Sequence, residues 1–156
     1  MSRRHEIVMS PDELRAFLDE ERTLTCASLG PHGRPHLMPL WYVREGDVIA
    51  CWTYGASQKV KNLERVAQAT LLVEAGEKYD DLRGAMLECD VEIVRDRERL
   101  LDIGVALAYR YGHAPAGASP DLVRAGAEKR GARRVGLRFR PTRIVSWDHR
   151  KLGGRY

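Results

Sequence analysis

Apolar and polar positions alternate over several short stretches in the first half of the chain, and this period of two predicts β-strands. The predicted strands cover residues 23–29, 35–44, 48–53 and 69–74, with a longer fifth strand that includes Leu87, Cys89, Val91 and Ile93. Turn residues such as Gly30, Pro31 and Gly33 separate neighbouring strands. Because strand follows strand without regular intervening helices, the pattern favours an antiparallel sheet over a doubly wound parallel one.

Helical spacing of apolar residues marks the other elements. Ser10, Pro11 and Glu13 form the signature of a capped helix start, and this first helix is expected to end near Glu20. Further helices are predicted at 59–65, 100–111 and 121–131, and the last strands at 135–140 and 144–147. The pattern predicts a mainly β, α+β fold in which six or seven antiparallel strands form a barrel with peripheral helices.

Composition places the chain among ordinary globular proteins. Its 156 residues are 44% hydrophobic and 31% charged, which suits one domain over residues 1–156. No apolar run has the length of a signal peptide core or a membrane span, so we expect a cytoplasmic location. Cys26, Cys51 and Cys89 lie among apolar residues and are expected to be reduced core thiols. No metal-ligand spacing occurs, and no metal is expected.

The segment from Thr53 to Leu63 places hydroxyl groups, a small-residue turn and two lysines where a strand meets a helix. The start of a helix has unpaired N–H groups and partial positive charge, which favour a phosphate, and Ser57 and Lys59 would strengthen such a site. The segment therefore indicates phosphate binding. The alternative is that Ser57 only caps a surface helix and that Lys59 and Lys61 are solvated.

A second candidate segment lies in the predicted strand 35–44. Pro39 has no N–H to donate, so the strand is expected to lose pairing there or to lie at a sheet edge. Flat apolar side chains beside an interrupted strand, here Leu40 and Trp41 with Trp52 on the next strand, can form a slot for a planar ring. Ordinary core packing is the alternative.

The C-terminal segment 146–156 is rich in functional groups, but Asp148 and His149 alone do not define a catalytic dyad. No nucleophile motif, Walker loop or paired-carboxylate site occurs, which argues against hydrolases and kinases. No catalytic residue is therefore assigned. The residues that remain open as proton donors are Tyr109, Tyr111, His113 and His149.

Three phrases occur in a fixed order along the chain. They are Gly33-Arg34-Pro35-His36 with Pro39-Leu40-Trp41-Tyr42, then Ser57-Gln58-Lys59 with Asn62-Leu63, then Leu71-Leu72-Val73-Glu74. Their order and spacing resemble the pyridoxamine 5′-phosphate oxidase-like split-barrel family, in particular its flavin/deazaflavin (F420)-dependent oxidoreductase branch. The resemblance covers nearly the whole chain. It implies an FMN-binding type of split barrel and a homodimer with two cofactor sites at the subunit interface.

The resemblance also implies roles for particular residues. Ser57 and Lys59 would contact the cofactor phosphate, and Thr53 and Asn62 would assist them. The residues expected against the tricyclic ring are Pro39, Leu40 and Trp41. The weaker candidates, through which the partner subunit would close the site, are Tyr79, Arg83, Trp147 and Lys151.

The chain departs from the family pattern in two places. After Leu63 it continues Glu64-Arg65-Val66, where relatives often have an Arg-Asp-Pro phrase. It also carries a helical insertion at about 97–131, longer than the minimal family barrel, which is expected to shape the substrate side.

The implied activity is hydride transfer between reduced coenzyme F420 and an unidentified small organic acceptor, because the cofactor carries this chemistry. Of 26 basic residues five are Lys and 21 are Arg, a skew that indicates a GC-rich genome and favours F420 over FMN. The alternatives are an FMN-dependent oxidoreductase of the same family and a non-catalytic flavin- or haem-binding module. The net charge of +4 also permits nucleic acid, but Glu88, Asp90 and Glu92 on an exposed strand face argue against it.

Overall fold

The computed structural model describes residues 4–154, so the last two residues of the C-terminal segment 146–156 lie outside the described residues. The strands are β1 Leu24–Leu29, β2 Pro35–Leu40, β3 Val43–Glu45, β4 Val48–Tyr54, β5 Gln68–Ala75, β6 Arg83–Val94 and β7 Arg134–Asp148. The helices are α1 Pro11–Glu20, α2 Gln58–Arg65, α3 Arg97–Arg110 and α4 Pro120–Gly131. Short 3-10 turns lie at Arg4–Glu6, Tyr79–Asp81 and His149–Leu152.

The strands of the described chain form one antiparallel sheet in the order β2-β1-β5-β6-β7-β4-β3. The long strands β6 and β7 pair from Arg83 opposite Asp148 to Val94 opposite Gly136. This confirms the predicted α+β fold, a seven-stranded antiparallel split barrel with peripheral helices. The helical insertion supplies α3 and α4, which pack on each other.

The first helix forms as its sequence predicts. The Ser10 hydroxyl accepts a hydrogen bond from the Glu13 N–H at 3.3 Å, and the Glu13 carboxylate accepts one from the Ser10 N–H at 2.6 Å. This reciprocal cap satisfies two N–H groups that have no partner within the helix. Phe17 and Leu18 on the buried side of α1 then enter the core.

The prediction of a single strand at 35–44 is wrong, because the chain leaves the ladder at Trp41 and Tyr42. The Tyr111 hydroxyl accepts a hydrogen bond from the Tyr42 N–H at 2.9 Å and lies 2.8 Å from the Tyr42 carbonyl oxygen. A side chain of the insertion thus occupies the backbone groups that a continuous strand would pair. Pairing is not lost at Pro39 itself, which lies opposite Thr25. The alternative of an edge strand is confirmed, since β2 ends the sheet.

The two strands predicted at the end of the chain are one strand, β7. Pro141 lies opposite Cys89, next to a register shift between Glu88 and Cys89. A bulge at this point allows a residue without an N–H to lie inside the strand, so pairing continues on both sides of it. The prediction of a break at Pro141 is therefore wrong.

Apolar side chains fill the interior between the sheet and α1, among them Phe17, Leu71 and Phe139. A smaller cluster, with Ala50 of β4 and Ile103 and Leu107 of α3, covers the other face of β4. Both faces of β4 are thus covered, which positions this strand between the barrel and the insertion. Among residues 4–154, no helix has the length and apolar character to cross a membrane.

The three cysteines are buried and free. Burial raises the pKa of the Cys26 thiol to about 11 and that of Cys89 to about 12. Burial also raises the pKa of Cys51. Thiols of this kind stay protonated near neutral pH and behave as small apolar side chains.

Candidate functional site

A cavity of about 550 Å³ opens where the ends of β2 and β4 meet the helices α3 and α4. The predicted site residues that line it are Pro39, Leu40, Trp41, Thr53 and Lys59. The other lining residues are Thr23, Trp52, Gly104, Leu107, Ala108, His113, Arg130 and Arg134. Three of the lining residues are basic, namely Lys59, Arg130 and Arg134, and none is an aspartate or a glutamate. The cavity therefore suits an anionic ligand with a flat apolar part.

Lys59 is the cation best shielded from water in this cavity. Its side chain is 9% exposed, and its ammonium group donates a hydrogen bond to the Thr53 hydroxyl at 2.9 Å. Within residues 4–154 it forms no ion pair with a carboxylate. Burial lowers the pKa of Lys59, partly opposed by interactions with the Cys26 and Cys51 thiols. A buried ammonium without a carboxylate partner among the described residues has the chemistry to bind an anion.

Ser57 lies at the start of α2, two residues before Lys59, and is not among the residues that line the cavity. It is the N-cap residue of the helix, yet its side chain makes no capping hydrogen bond. Its hydroxyl oxygen is buried and without a partner among the described residues. A buried polar atom left unpaired costs about 1–3 kcal/mol, which a ligand oxygen would offset.

Asn62 has a different environment from the one the resemblance implies. It is fully buried, its amide nitrogen donates to the Ser28 hydroxyl at 3.1 Å, and its amide oxygen accepts from Gln58 at 2.9 Å. The bond to Ser28 ties α2 to β1, and the bond from Gln58 lies within α2. Contact between Asn62 and a phosphate stays a prediction, and its visible role is to hold the helix in place.

The aromatic wall is built around Trp41, at the break between β2 and β3. Trp41 is 51% exposed, and its ring stacks on that of Tyr111 with centroids 4.5 Å apart and planes 4° apart. The His113 ring lies 5.4 Å from Trp41. The insertion therefore fixes the orientation of the wall that the sequence predicted as a slot for a planar ring.

Sequence reasoning missed the two arginines of this site. The guanidinium carbon of Arg134 lies 4.9 Å from the centroid of Trp52 and 4.5 Å from that of Tyr54. Arg130, four residues earlier and near the end of α4, also lines the cavity. The only sequence signal was the basic end of the predicted helix 121–131, which ordinarily means a favourable interaction with the helix dipole.

The four weaker candidates lie elsewhere, near α1 and the end of β7. Arg83 pairs with Glu20 at 2.8 Å and with Glu21 at 3.3 Å, and Lys151 donates to Glu13 at 2.5 Å. The other two present aromatic rings: Trp147 lies over Gly84, and Tyr79 contacts the ring of His149. None of the four lines the cavity within its own chain.

Of the possible proton donors, His113 alone lines the cavity. The Tyr111 hydroxyl is engaged with the backbone of Tyr42 and Arg22, and His149 contacts the Tyr79 carbonyl oxygen at 2.9 Å. Tyr109 is 55% exposed and is not a lining residue. Of these four side chains, only the imidazole of His113 is therefore placed to contact a ligand in the cavity.

The family assignment now has both a fold and a site to rest on. The sequence model of the pyridoxamine 5′-phosphate oxidase family matches residues 10–148, a span that holds every helix α1–α4 and every residue lining the cavity. The chain belongs to this family. The resemblance drawn from the three sequence phrases is confirmed.

Solved structures give the same family fold. A conserved hypothetical protein from Mycobacterium tuberculosis is 38% identical, with a TM-score of 0.90 over 100% of this chain and 95% of that chain. An F420 reductase is 22% identical, with a TM-score of 0.62 over 83% and 94% of the two chains. The haem storage protein of Vibrio cholerae is 17% identical, with a TM-score of 0.69 over 90% and 97%. The last two likenesses concern the fold alone.

A comparison with curated protein sequences found no match. The family has a flavin-binding, oxidoreductase-like fold, and its relatives named above include proteins of different ligand chemistry. The choice of cofactor for this chain therefore depends on its own cavity.

Proposed function

We propose that this protein binds coenzyme F420 in the cavity between the barrel and the insertion and transfers a hydride between it and a small organic acceptor. The observation that carries the proposal is Lys59, a residue 9% exposed whose ammonium has no carboxylate partner among the described residues. A buried cation is costly unless an anion compensates it. A cofactor phosphate beside the unpaired Ser57 hydroxyl would supply that anion.

A second part of the cavity suits the ring of the cofactor. Pro39, Leu40 and Trp41 line it together, and Trp41 is held in position by its stack on Tyr111. When bound, the deazaflavin supplies the hydride chemistry. The protein's own part is to hold the phosphate at Lys59, to orient the ring along Pro39–Trp41 and to leave one ring face open to the acceptor.

We infer that a second copy of this chain completes the site. The outer face of the sheet carries exposed leucines, with Leu29 at 44%, Leu37 at 57% and Leu72 at 36%. Pro39 pairs with Thr25, and Thr25 pairs with Leu72, so the cavity wall continues into this face. Contiguous apolar surface of this kind is typical of an interface. A homodimer would bury it and close the cavity at the same time.

The partner's contribution would come from the aromatic pair rather than from the two cations. Trp147 lies on the outer face of the sheet over Gly84, and Tyr79 is 59% exposed. Arg83 and Lys151 are already paired with carboxylates of α1 or its end. We therefore rank Trp147 and Tyr79 above Arg83 and Lys151 as residues that reach the neighbouring site.

FMN is the second candidate, because its single phosphate would meet the same Lys59 and Ser57. The arginine skew of the sequence favours F420. A non-catalytic haem-binding module is the third. It is favoured by His113, whose ring lies at the cavity with no hydrogen bond to the described residues, since imidazole is a common axial ligand of haem.

The test is equilibrium binding of F420, FMN and haemin to the wild type, to Lys59→Ala and to the matched control Lys61→Ala. Lys61 is an exposed lysine on the same helix. Loss of the charge-assisted contact at Lys59 is expected to weaken F420 binding by more than about tenfold, since such contacts contribute about 1.5–3 kcal/mol. The Lys61 variant should bind as the wild type does.

Three other outcomes would change the conclusion. Equal affinity of the wild type and Lys59→Ala for F420 would remove the phosphate site from Lys59. Preference for FMN would move the function to the flavin-dependent alternative. A Soret band with haemin, lost in His113→Ala, together with no binding of F420 or FMN, would favour the haem module.

A further inference from the structure

Arg134 differs from Arg138 and Arg143 of the same strand, which both form ion pairs. In β7, Arg138 pairs with Glu45 at 3.0 Å and with Glu92 at 3.4 Å, and Arg143 pairs with Glu88 at 2.8 Å. Arg134 forms no ion pair within residues 4–154, although it is only partly exposed and lines the cavity. An arginine that could be solvated or paired, but is instead held at a cavity wall, is a candidate ligand-binding group.

The position of the Arg134 guanidinium is fixed from several sides. Its Nε donates to the Arg130 carbonyl oxygen at 3.2 Å, and its carbon lies over the rings of Trp52 and Tyr54. Stacking uses the face of the guanidinium, so the two Nη groups keep their in-plane donors. These donors have no other partner among the described residues, and they suit a bidentate contact with a carboxylate.

Two glycines of the insertion hold the ring on which Arg134 stacks. A Cβ added at Gly104 would lie 2.4 Å from the Trp52 ring, and one added at Gly131 would lie 3.3 Å from it. Trp52 is therefore wedged against α3 and the end of α4. A preorganised guanidinium loses little freedom when it binds an anion, which raises affinity.

We propose that Arg134, with Arg130 beside it, is a second anion subsite of this cavity and binds a carboxylate group. It is separate from the Lys59 subsite, because Lys59 bonds to Thr53 on the barrel side of β4 whereas Arg134 stacks on Trp52 and Tyr54 of the other face. The inference rests on the proposed function for the identity of the molecule that carries the carboxylate. That molecule is either the cofactor, beyond its phosphate, or the acceptor.

The test uses a simple aromatic acid and needs no cofactor. Binding of 2-naphthoate and of the uncharged 2-naphthamide is measured by calorimetry on the wild type, Arg134→Gln, Lys59→Ala and Arg140→Gln. Arg140 is the matched control, an exposed arginine of the same strand that pairs with no carboxylate in the described chain and does not line this cavity. The wild type is expected to bind the acid at least about tenfold more tightly than the amide.

That preference should disappear in Arg134→Gln and persist in Arg140→Gln and Lys59→Ala. Arg134→Lys, which keeps the charge but not the planar fork, should retain only part of it. No preference in the wild type, a preference that survives Arg134→Gln in a folded variant, or loss in Lys59→Ala alone would overturn the proposal. If Arg134→Gln does not fold, an undiminished preference of Arg134→Lys for the acid over the amide would overturn the proposal.

Competition then identifies the source of the carboxylate. Displacement of 2-naphthoate by F420 but not by FMN would place it on the cofactor, whereas retention with both cofactors bound would place it on the acceptor. Failure of F420 and FMN to bind would contradict the proposed function while the acid preference still stood. The two proposals can therefore fail separately.

Discussion

At the scale of single residues, Lys59 differs from the cations that form ion pairs in this chain. The structural ion pairs of this chain, such as Arg44 with Asp19 at 2.6 Å, join two elements and lie partly in water. Lys59 forms no ion pair with a carboxylate among the described residues, and burial lowers its pKa, which disfavours the charged ammonium. We therefore expect Lys59 to lower the stability of the free protein, as is typical of residues retained for ligand binding.

This cost can be measured by replacing Lys59 with methionine, a side chain of similar shape. The free energy of unfolding of Lys59→Met without ligand is expected to exceed that of the wild type at pH 7. Because the pKa of Lys59 is lowered in the folded state from the ordinary 10.5, the unfolded state binds more protons, so wild-type stability rises with pH in this range. The advantage of Lys59→Met should therefore shrink as the pH approaches that ordinary value.

Urea unfolding at several pH values measures the difference directly, with Lys61→Met as the control for helix propensity. A less stable Lys59→Met protein, or a difference that grows with pH, would mean that the ammonium contributes to the fold through its bond to Thr53.

How well each residue around the cavity could be predicted depends on how far along the chain its contacts lie. The helix start beside Ser57 and Lys59 was predictable because it is a local feature, whereas the contact of these two residues with an anion stays a prediction. The hydrogen bond of Asn62 to Ser28 was not predictable, because the two residues are 34 positions apart in the chain. Arg134 was missed for the same reason, since its stack depends on the register that places it opposite Tyr54.

At the scale of elements, prediction failed where a distant side chain acts on the backbone. Residues 37–43 are all apolar or aromatic, and no local feature of the sequence indicates that Tyr111 bonds to the backbone of Tyr42. The reverse error occurred at Pro141, where a bulge opposite Cys89 keeps the strand continuous. Strand existence follows from periodicity, whereas strand ends depend on tertiary contacts.

The contact of α3 with Trp52 gives a prediction for this helix. In Gly104→Ala the new methyl group would lie 2.4 Å from the rigid indole ring, so Trp52 must move. Overpacking of about 1–3 kcal/mol is expected to exceed the gain of about 1 kcal/mol in helix propensity. Gly126→Ala on α4 is the matched control, since its nearest neighbour is the flexible end of Arg130 at 3.4 Å.

Thermal and urea unfolding should show Gly104→Ala destabilised and Gly126→Ala unchanged or stabilised. The Gly104 variant should also lose part of its preference for 2-naphthoate, because displaced Trp52 no longer holds Arg134. Equal stability of both variants would mean that the indole ring adapts without cost.

At the scale of the whole molecule, the fold was predictable because hairpin order, capped helices and turn residues all indicate one antiparallel barrel. Assembly as a homodimer was expected from the family resemblance alone and stays a prediction, since the residues of an interface look like ordinary strand residues in a sequence. The sheet register shows what periodicity could not: Leu72, Thr25 and Pro39 form one row that leads from the exposed face to the cavity.

A charge placed on this face tests whether assembly and cofactor binding are one event. Leu37 on β2 and Leu122 on α4 are both 57% exposed, so Leu37→Asp and Leu122→Asp cost their own chain about the same. If the outer face is the dimer interface, Leu37→Asp buries an unpaired carboxylate there and is expected to give monomers, whereas Leu122→Asp stays dimeric. Light scattering coupled to size exclusion measures the mass of each variant.

The same two variants are then titrated with F420 and FMN. If the partner completes the site, Leu37→Asp is expected to bind the cofactor at least about tenfold more weakly than Leu122→Asp. The reason is that contacts from the second subunit are lost when the dimer is lost. A monomeric Leu37→Asp protein that binds as tightly as the wild type would show that one chain holds the whole site, and Trp147 and Tyr79 would then have no part in it. The cavity walls that each chain supplies alone, Lys59 and Trp41, would in that case suffice.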